Sequence, residues 1–188
     1  MLRLKIIIAS TRTGRKGPAV AKWITDLATA DPRFAVEVLD LATINLPMLD
    51  EEQHPRLQQY AHQHTKDWSA RIAEADAFIF VMPEYNFGYT APLKNALDFL
   101  FNEWAHKPVG LVSYGGISGG MRAVQLLKPV LVALRLTPAG DVPIPFFNKL
   151  FDADGVFKPT DELAKSSAGM LNGLAKWSPV LAQLRAAK

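Results

Sequence analysis

Val81-Met82-Pro83-Glu84-Tyr85-Asn86-Phe87-Gly88-Tyr89-Thr90-Ala91-Pro92-Leu93-Lys94-Asn95-Ala96-Leu97-Asp98-Phe99-Leu100 holds three kinds of local structure in twenty residues. An apolar run, Ala77 to Met82, stops at Pro83. The loop that follows carries a carboxylate, phenols, an amide and a benzene ring. A helix then opens near Pro92, with Leu93, Ala96, Leu97 and Leu100 on one face. Strand, decorated loop, helix is the unit of an open α/β sheet, and such sheets bind ligands beyond the carboxyl ends of their strands. Lys94 and Asp98, four apart, read as a pair on the helix surface.

The same unit recurs along the chain. Leu4 to Ala9 is a continuous β-branched run, of the kind found in parallel sheets covered on both faces. It meets Ser10-Thr11-Arg12-Thr13-Gly14-Arg15-Lys16-Gly17-Pro18, where Pro18 suits a helix's first turn. Ala19, Val20, Trp23, Ile24, Leu27 and Ala28 then form a helical stripe. Phe34–Leu41 reads as the second strand, 42–55 as loop, 56–74 as helix and Ala77–Met82 as the third strand. In 56–74, Leu57, Tyr60, Ala61, Trp68, Ile72 and Ala73 are expected to face inward. Pro108–Tyr114 is the fourth strand, followed by a helix from Met121 to Leu134 that Pro129 kinks. Leu136–Pro143 is a weak fifth strand. Thr160 caps a last helix with Asp161 and Glu162 in its first turn, and Leu163, Met170, Leu171, Leu174, Leu181 and Leu184 along it. Alternation of five strands with helices predicts a parallel, doubly wound α/β sheet of order 2-1-3-4-5, in one domain spanning 1–188. Its switch point lies between the first and third strands.

Composition narrows the chemistry. The 188 residues are 49% hydrophobic and 21% charged, with no cysteine. That excludes disulfides, thiolate catalysis and zinc–cysteine sites. Residues 1–9 are too short for a leader's apolar core, and no run is long enough to span a membrane, so the expected location is cytoplasmic. Six of the 21 basic residues (Arg3, Lys5, Arg12, Arg15, Lys16, Lys22) fall within 1–25, where there is no acid. The other 15 share the rest of the chain with all 18 acids, which leaves that part at −3. Positive charge gathered at one loop favours a small anionic ligand over nucleic acid.

Three loops follow strand ends. Ser10, Thr11, Arg12, Thr13 and Arg15 offer hydroxyl, guanidinium and backbone donors at a helix start, the set a phosphate monoester requires. Neither G-x-x-x-x-G-K-[ST] nor G-x-G-x-x-G is present, so a P-loop nucleotidase and a dinucleotide-binding dehydrogenase lose their fingerprints. Asp40, at the end of the second strand, is read as a surface or capping residue. Glu84, Tyr85, Asn86 and Phe87 supply groups for the polar edge and rings of a flat heterocycle. Gly115-Gly116-Ile117-Ser118-Gly119-Gly120 permits close backbone approach. It also contains G-x-S-x-G, but all four histidines (54, 62, 64 and 106) precede Ser118, whereas the hydrolase elbow needs one after it. His62 and His64, two apart, are expected on different helix faces, and all four histidines read as solvated.

Ser10-x-Arg12 with Arg15-x-Gly17-Pro18, then Pro83-Glu84-Tyr85-Asn86 with Leu93-Lys94-Asn95-Ala96-Leu97-Asp98, then Ser113-x-Gly115-Gly116, resembles the NAD(P)H-dependent FMN reductases. These are flavodoxin-like three-layer proteins that include quinone, azo and chromate reductases. The resemblance implies noncovalent FMN. Ser10, Arg12, Arg15, Gly17 and Pro18 would surround its phosphate. Pro83, Glu84, Tyr85 and Asn86 would line the isoalloxazine, and Ser113, Gly115 and Gly116 its far side. It further implies hydride transfer from NAD(P)H through FMN to a small-molecule acceptor such as a quinone or free flavin, with no side-chain acid or base, and no nucleic-acid or membrane partner. A homodimer or homotetramer is implied, for which Phe99, Leu100, Phe101 and Trp104 are interface or core candidates. Ala9 departs from the glycine frequent in the family. The rival reading is an FMN-binding electron carrier without NAD(P)H turnover, although carriers of this fold are typically acidic.

Overall fold

A computed structural model describes residues 1–187. Five strands, β1 (Leu2–Ile8), β2 (Phe34–Asp40), β3 (Ala77–Pro83), β4 (Pro108–Tyr114) and β5 (Thr137–Ile144), form one sheet. All pairings are parallel and the order is β2-β1-β3-β4-β5, as the sequence predicts. The helices are α1 (Gly17–Ala30), α2 (Leu41–Ile44), α3 (Gln63–Ala73), α4 (Ala91–Asp98), α5 (Met121–Ala133) and α6 (Asp161–Ala186).

Two apolar layers sandwich the sheet. Val20, Ile24, Met170, Leu171 and Leu174 of α1 and α6 cover one face, against Ile6, Ile79 and Val112. Trp68, Leu93, Leu97, Val124 and Leu127 of α3, α4 and α5 cover the other, against Ile7, Phe78, Phe80 and Leu111. Every residue of β3 and β4 is buried, which is why those strands are continuous apolar runs rather than alternating ones. Burying each large side chain contributes about 1.5–3 kcal/mol. Lys5 sits inside buried β1, directly opposite Glu37 of β2, and its ammonium pairs with Glu37 and Glu74. β5 is an edge strand, where Pro138 and Pro143 are tolerated. No helix among the described residues is long and apolar enough to cross a membrane.

Four local expectations change. The stretch 56–74 is not one helix: Pro55–Leu57 forms a 3-10 turn, Gln58 turns left-handed at φ 53°, and α3 begins only at Gln63. The Glu51 carboxylate accepts from the Ala61 and His62 amides and fixes that start. Trp68 and Ile72 face inward, but Leu57, Ala61 and Ala73 are exposed. Leu41, read as the end of the second strand, and residues 42–44, read as loop, form a short helix because Asp40 caps it through the Ala42 amide. His62 and His64 do not point apart: their rings stack at 5.2 Å, and His64 Nε2 lies 3.0 Å from Asp50. Phe99, Leu100 and Trp104 are fully buried in the chain's own core, so the only interface candidate of that group with surface to offer is half-buried Phe101. Leu184 is exposed. Lys94 and Asp98 do pair on α4, 2.5 Å apart.

Candidate functional site

The carboxyl ends of β1, β3 and β4 meet at one end of the sheet. Thr90 ties the first two together. Its side chain caps α4 through the Leu93 amide and donates to the Ala9 carbonyl at 2.8 Å. The loop after β1 and the loop after β3 are thereby joined by one buried hydroxyl.

The first loop runs into α1, whose N-cap, Lys16, makes no side-chain capping bond. The helix therefore presents uncompensated N–H groups and the positive end of its dipole. Beneath it lie two hydroxyls that make no hydrogen bond among the described residues: Ser10 Oγ, on a fully buried residue, and Tyr114 Oη, on a residue only 3% exposed. Both point at Gly17. A Cβ there would collide with Ser10 Oγ and stand 2.8 Å from Tyr114 Oη, so only glycine fits. Burial pushes the Tyr114 phenol up to about 12, which keeps it protonated and able to donate at neutral pH. Leaving a buried hydroxyl unsatisfied costs about 1–3 kcal/mol. Two of them converging on an uncapped helix start fit an oxyanion.

A cavity of about 190 Å³ opens beside this point, between Arg12, Gly14 and Lys16 on one wall and Pro83, Tyr85 and Tyr114 on the other. The Glu84 and Gly115 positions continue it, and Phe147 and Asn148, beyond β5, close it. Arg12 is exposed, forms no ion pair among the described residues, and lies 6.0 Å from the Tyr85 ring. Lys16 likewise rests over an aromatic face, 4.4 Å from the centre of Phe151.

Several predicted site residues have partners within the fold. The Arg15 guanidinium is taken by Asp40, in a two-point ion pair with both distances 2.6 Å, and by the Ser10 carbonyl at 2.6 Å. Asp40 is thus both helix cap and ion-pair partner. The Ser113 hydroxyl is fully buried and donates to the Gly119 carbonyl. Pro18 is exposed on the first turn of α1. Gly116 accepts from the Gly119 and Phe146 amides, which ties the loop after β4 to the segment after β5.

Glu84 lines the cavity, and its carboxylate is held by Ser118 and Arg122. The carboxylate accepts from the Ser118 hydroxyl at 2.8 Å, the Arg122 amide at 3.1 Å and the Arg122 guanidinium at 3.2 Å. Burial alone would push it up, but these donors outweigh that, and it is held below the usual carboxylate range. Ser118 is therefore a clamp residue and the G-x-S-x-G pattern houses no nucleophile. Asn86 sits not on the cavity wall but at the tip of a two-residue hairpin turn with Phe87. Both lie at positive φ, 49° and 70°, closed by paired Tyr85–Gly88 backbone bonds of 2.9 Å. Primed hairpin turns demand that geometry and normally take glycine.

Lys16, Tyr114, Phe147 and Asn148 were not among the expected site residues. Tyr114 had a signal, since it ends a strand at the ligand face between Ser113 and Gly115. Phe147 and Asn148 had none beyond following a strand. Among the described residues no cluster of three or more His, Cys, Asp or Glu side chains is placed to hold a metal.

The fold and its anion-ready switch point define a flavodoxin-like protein built around a phosphate-bearing cofactor. Residues 2–149 match the model of the NADPH-dependent FMN reductases, and the chain belongs to that family. It is an NAD(P)H-dependent FMN reductase, a flavoprotein oxidoreductase. A Schizosaccharomyces pombe NAD(P)H-dependent FMN reductase is 37% identical over 178 residues, spanning 94% of this chain and 88% of its own length. A Nectria protein of the same description is 35% identical over 187 residues, 94% of this chain and 93% of its own. An Arabidopsis thaliana NADPH:quinone oxidoreductase shares 37% over 111 residues, covering 56% and 53%. The solved flavoenzyme NAD(P)H:(acceptor) oxidoreductase FerB of Paracoccus denitrificans superposes with a TM-score of 0.77 at 22% identity, over 95% of this chain and 98% of its own, and shares the fold. Family and relatives are reductases, which sets aside the electron-carrier reading.

Proposed function

We propose that FMN binds with its phosphate at the start of α1, against Ser10 Oγ, Tyr114 Oη, the free amides of the loop and the Arg12 guanidinium, and with its ring over Pro83, Tyr85 and Gly115. Bound there, FMN would supply the hydride chemistry that links NAD(P)H to an acceptor such as a quinone or free flavin. The chain supplies position, not acid–base chemistry. Ser10 and Tyr114 gain the partner they lack when a phosphate oxygen arrives. Arg12 adds charge. Arg15 is held by Asp40 and shapes the loop rather than reaching outward. The Glu84 carboxylate locks the loops after β3 and β4 into one wall.

The observation that carries this reading is the pair of buried, partnerless hydroxyls converging on Gly17. The acceptor is a small molecule, the location cytoplasmic and the working form a homodimer or homotetramer. Absorption spectroscopy with added FMN tests the core of the proposal. A bound flavin spectrum that NADPH bleaches on a catalytic timescale supports it. A protein that stays colourless with excess FMN overturns it.

A further inference from the structure

Phe87 is held in a conformation that a benzyl side chain rarely adopts. Its φ is 70°, its neighbour Asn86 is at 49°, and yet the residue is 62% exposed. The fold gains little core from it, and glycine would hold the turn with less strain. One face of the ring meets the Arg122 guanidinium at 4.3 Å. Arg122 is itself fixed, its amide and guanidinium both bonded to a Glu84 carboxylate that is only 8% exposed. The outcome is a rigid aromatic plate, set in the same hairpin whose Tyr85 lines the cofactor cavity. Beside it stands a guanidinium that keeps 47% of its side chain in solvent. Backbone strain spent on displaying an aromatic ring beside a cofactor cavity is a mark of ligand contact.

We propose that Phe87 is the stacking surface for the electron acceptor, and that Arg122 makes the preferred acceptor a planar aromatic compound bearing an anionic substituent. The inference rests on the FMN reductase reading, since it places the acceptor beside that cavity. An aromatic plate rewards flat rings through offset stacking. The guanidinium's remaining donors reward a sulfonate or carboxylate on the ring's edge. Phe87 transfers nothing. It sets which molecules dwell beside the cofactor long enough to be reduced.

The test uses FMN-saturated protein in the oxidised state, so that binding is read without turnover. Calorimetric titration with 1,2-naphthoquinone-4-sulfonate and with its unsubstituted parent gives two dissociation constants. In Phe87→Ala both weaken by about three- to ten-fold, and Phe87→Trp restores them. In Arg122→Met the sulfonated compound weakens by about ten-fold and the parent by less than three-fold. Phe87→Gly, which relaxes the turn, weakens binding without lowering the melting temperature. The FMN dissociation constant is unchanged in the Phe87 variants. Unaltered quinone binding in Phe87→Ala overturns the proposal. So does weakening that appears only together with loss of FMN or dissociation of the oligomer. Failure of the wild-type protein to bleach with NADPH would sink the reductase reading instead, and these titrations report on Phe87 regardless.

Discussion

Arg15 and Asp40 meet through both oxygens and both terminal nitrogens, each distance 2.6 Å, bridging the loop after β1 to the end of β2. Burial pushes the Asp40 carboxyl up, but the Arg15 bonds, the Ala42 amide and the Arg15 charge together hold it below its ordinary 3.8. A carboxylate depressed in this way contributes stability in full above its unfolded value and loses it as pH falls through the folded one. The stability that Asp40 contributes is expected to fall away below pH 3.8, read from the acid limb of a pH series followed by circular dichroism. Asp40→Asn removes the pair, lowers stability at neutral pH and flattens this acid limb. An identical acid limb in the variant would remove Asp40 from the account.

Arg12 carries exposed positive charge at the cavity mouth. A charge-assisted bond to phosphate is worth about 1.5–3 kcal/mol. Arg12→Ala is expected to weaken FMN binding by about ten-fold or more, read from the quenching of flavin fluorescence. An unchanged dissociation constant places the phosphate elsewhere.

Tyr114 gives an opposed pair of effects. Tyr114→Phe deletes a buried hydroxyl that makes no hydrogen bond among the described residues. Without FMN the variant is expected to melt at the same temperature or higher, because an unsatisfied polar atom is gone. With FMN it binds more weakly than the wild type. A fall in the stability of the FMN-free protein would show that the hydroxyl has a partner within the fold.

Gly17→Ala forces a methyl group against Ser10 Oγ and Tyr114 Oη. Either the hydroxyls move or α1 does. The expected result is loss of FMN affinity larger than for Arg12→Ala, measured by the same quenching titration. Affinity like that of the wild type would mean that the loop has room the structure does not show.

Lys107 gives a pH dependence at the far end of the sheet. Its ammonium is almost fully buried and donates to the carbonyls of Ile72 and Ala73, at the end of α3. Burial pulls it down from 10.5 to about 7, with the Arg185 charge adding to the shift. Between those values the unfolded chain holds a proton that the folded chain lacks, so stability rises with pH across that window. Lys107→Met is expected to flatten the rise in melting temperature between pH 7 and pH 10. A variant with the same slope as the wild type refutes the assignment.

The architecture was legible in the sequence because β1, β3 and β4 are buried on both faces and therefore spell continuous apolar runs. Helix starts announce themselves through Pro18, Pro92 and Thr160. What stayed hidden depended on partners distant in sequence. Arg15 reads as an anion ligand until β2 brings Asp40 to it. Glu84 reads as a cavity carboxylate until α5 brings the Arg122 amide. The start of α3 is decided by Glu51, ten residues before the first amide it accepts. Tyr114 was passed over because its value lies in the absence of a partner, which only three dimensions reveal.

The cations at the cavity mouth have a kinetic consequence. Arg12 and Lys16 rest near aromatic faces, and among the described residues neither is paired with a carboxylate that would cancel its field. Arg15, a few residues away, is neutralised by Asp40. The mouth thus keeps a local positive potential although the chain beyond residue 25 is net acidic. A phosphate-bearing molecule is drawn in before it touches anything, so its association rate falls steeply as salt shortens the reach of that field. Its dissociation rate, governed by contacts within the cavity, follows ionic strength far less.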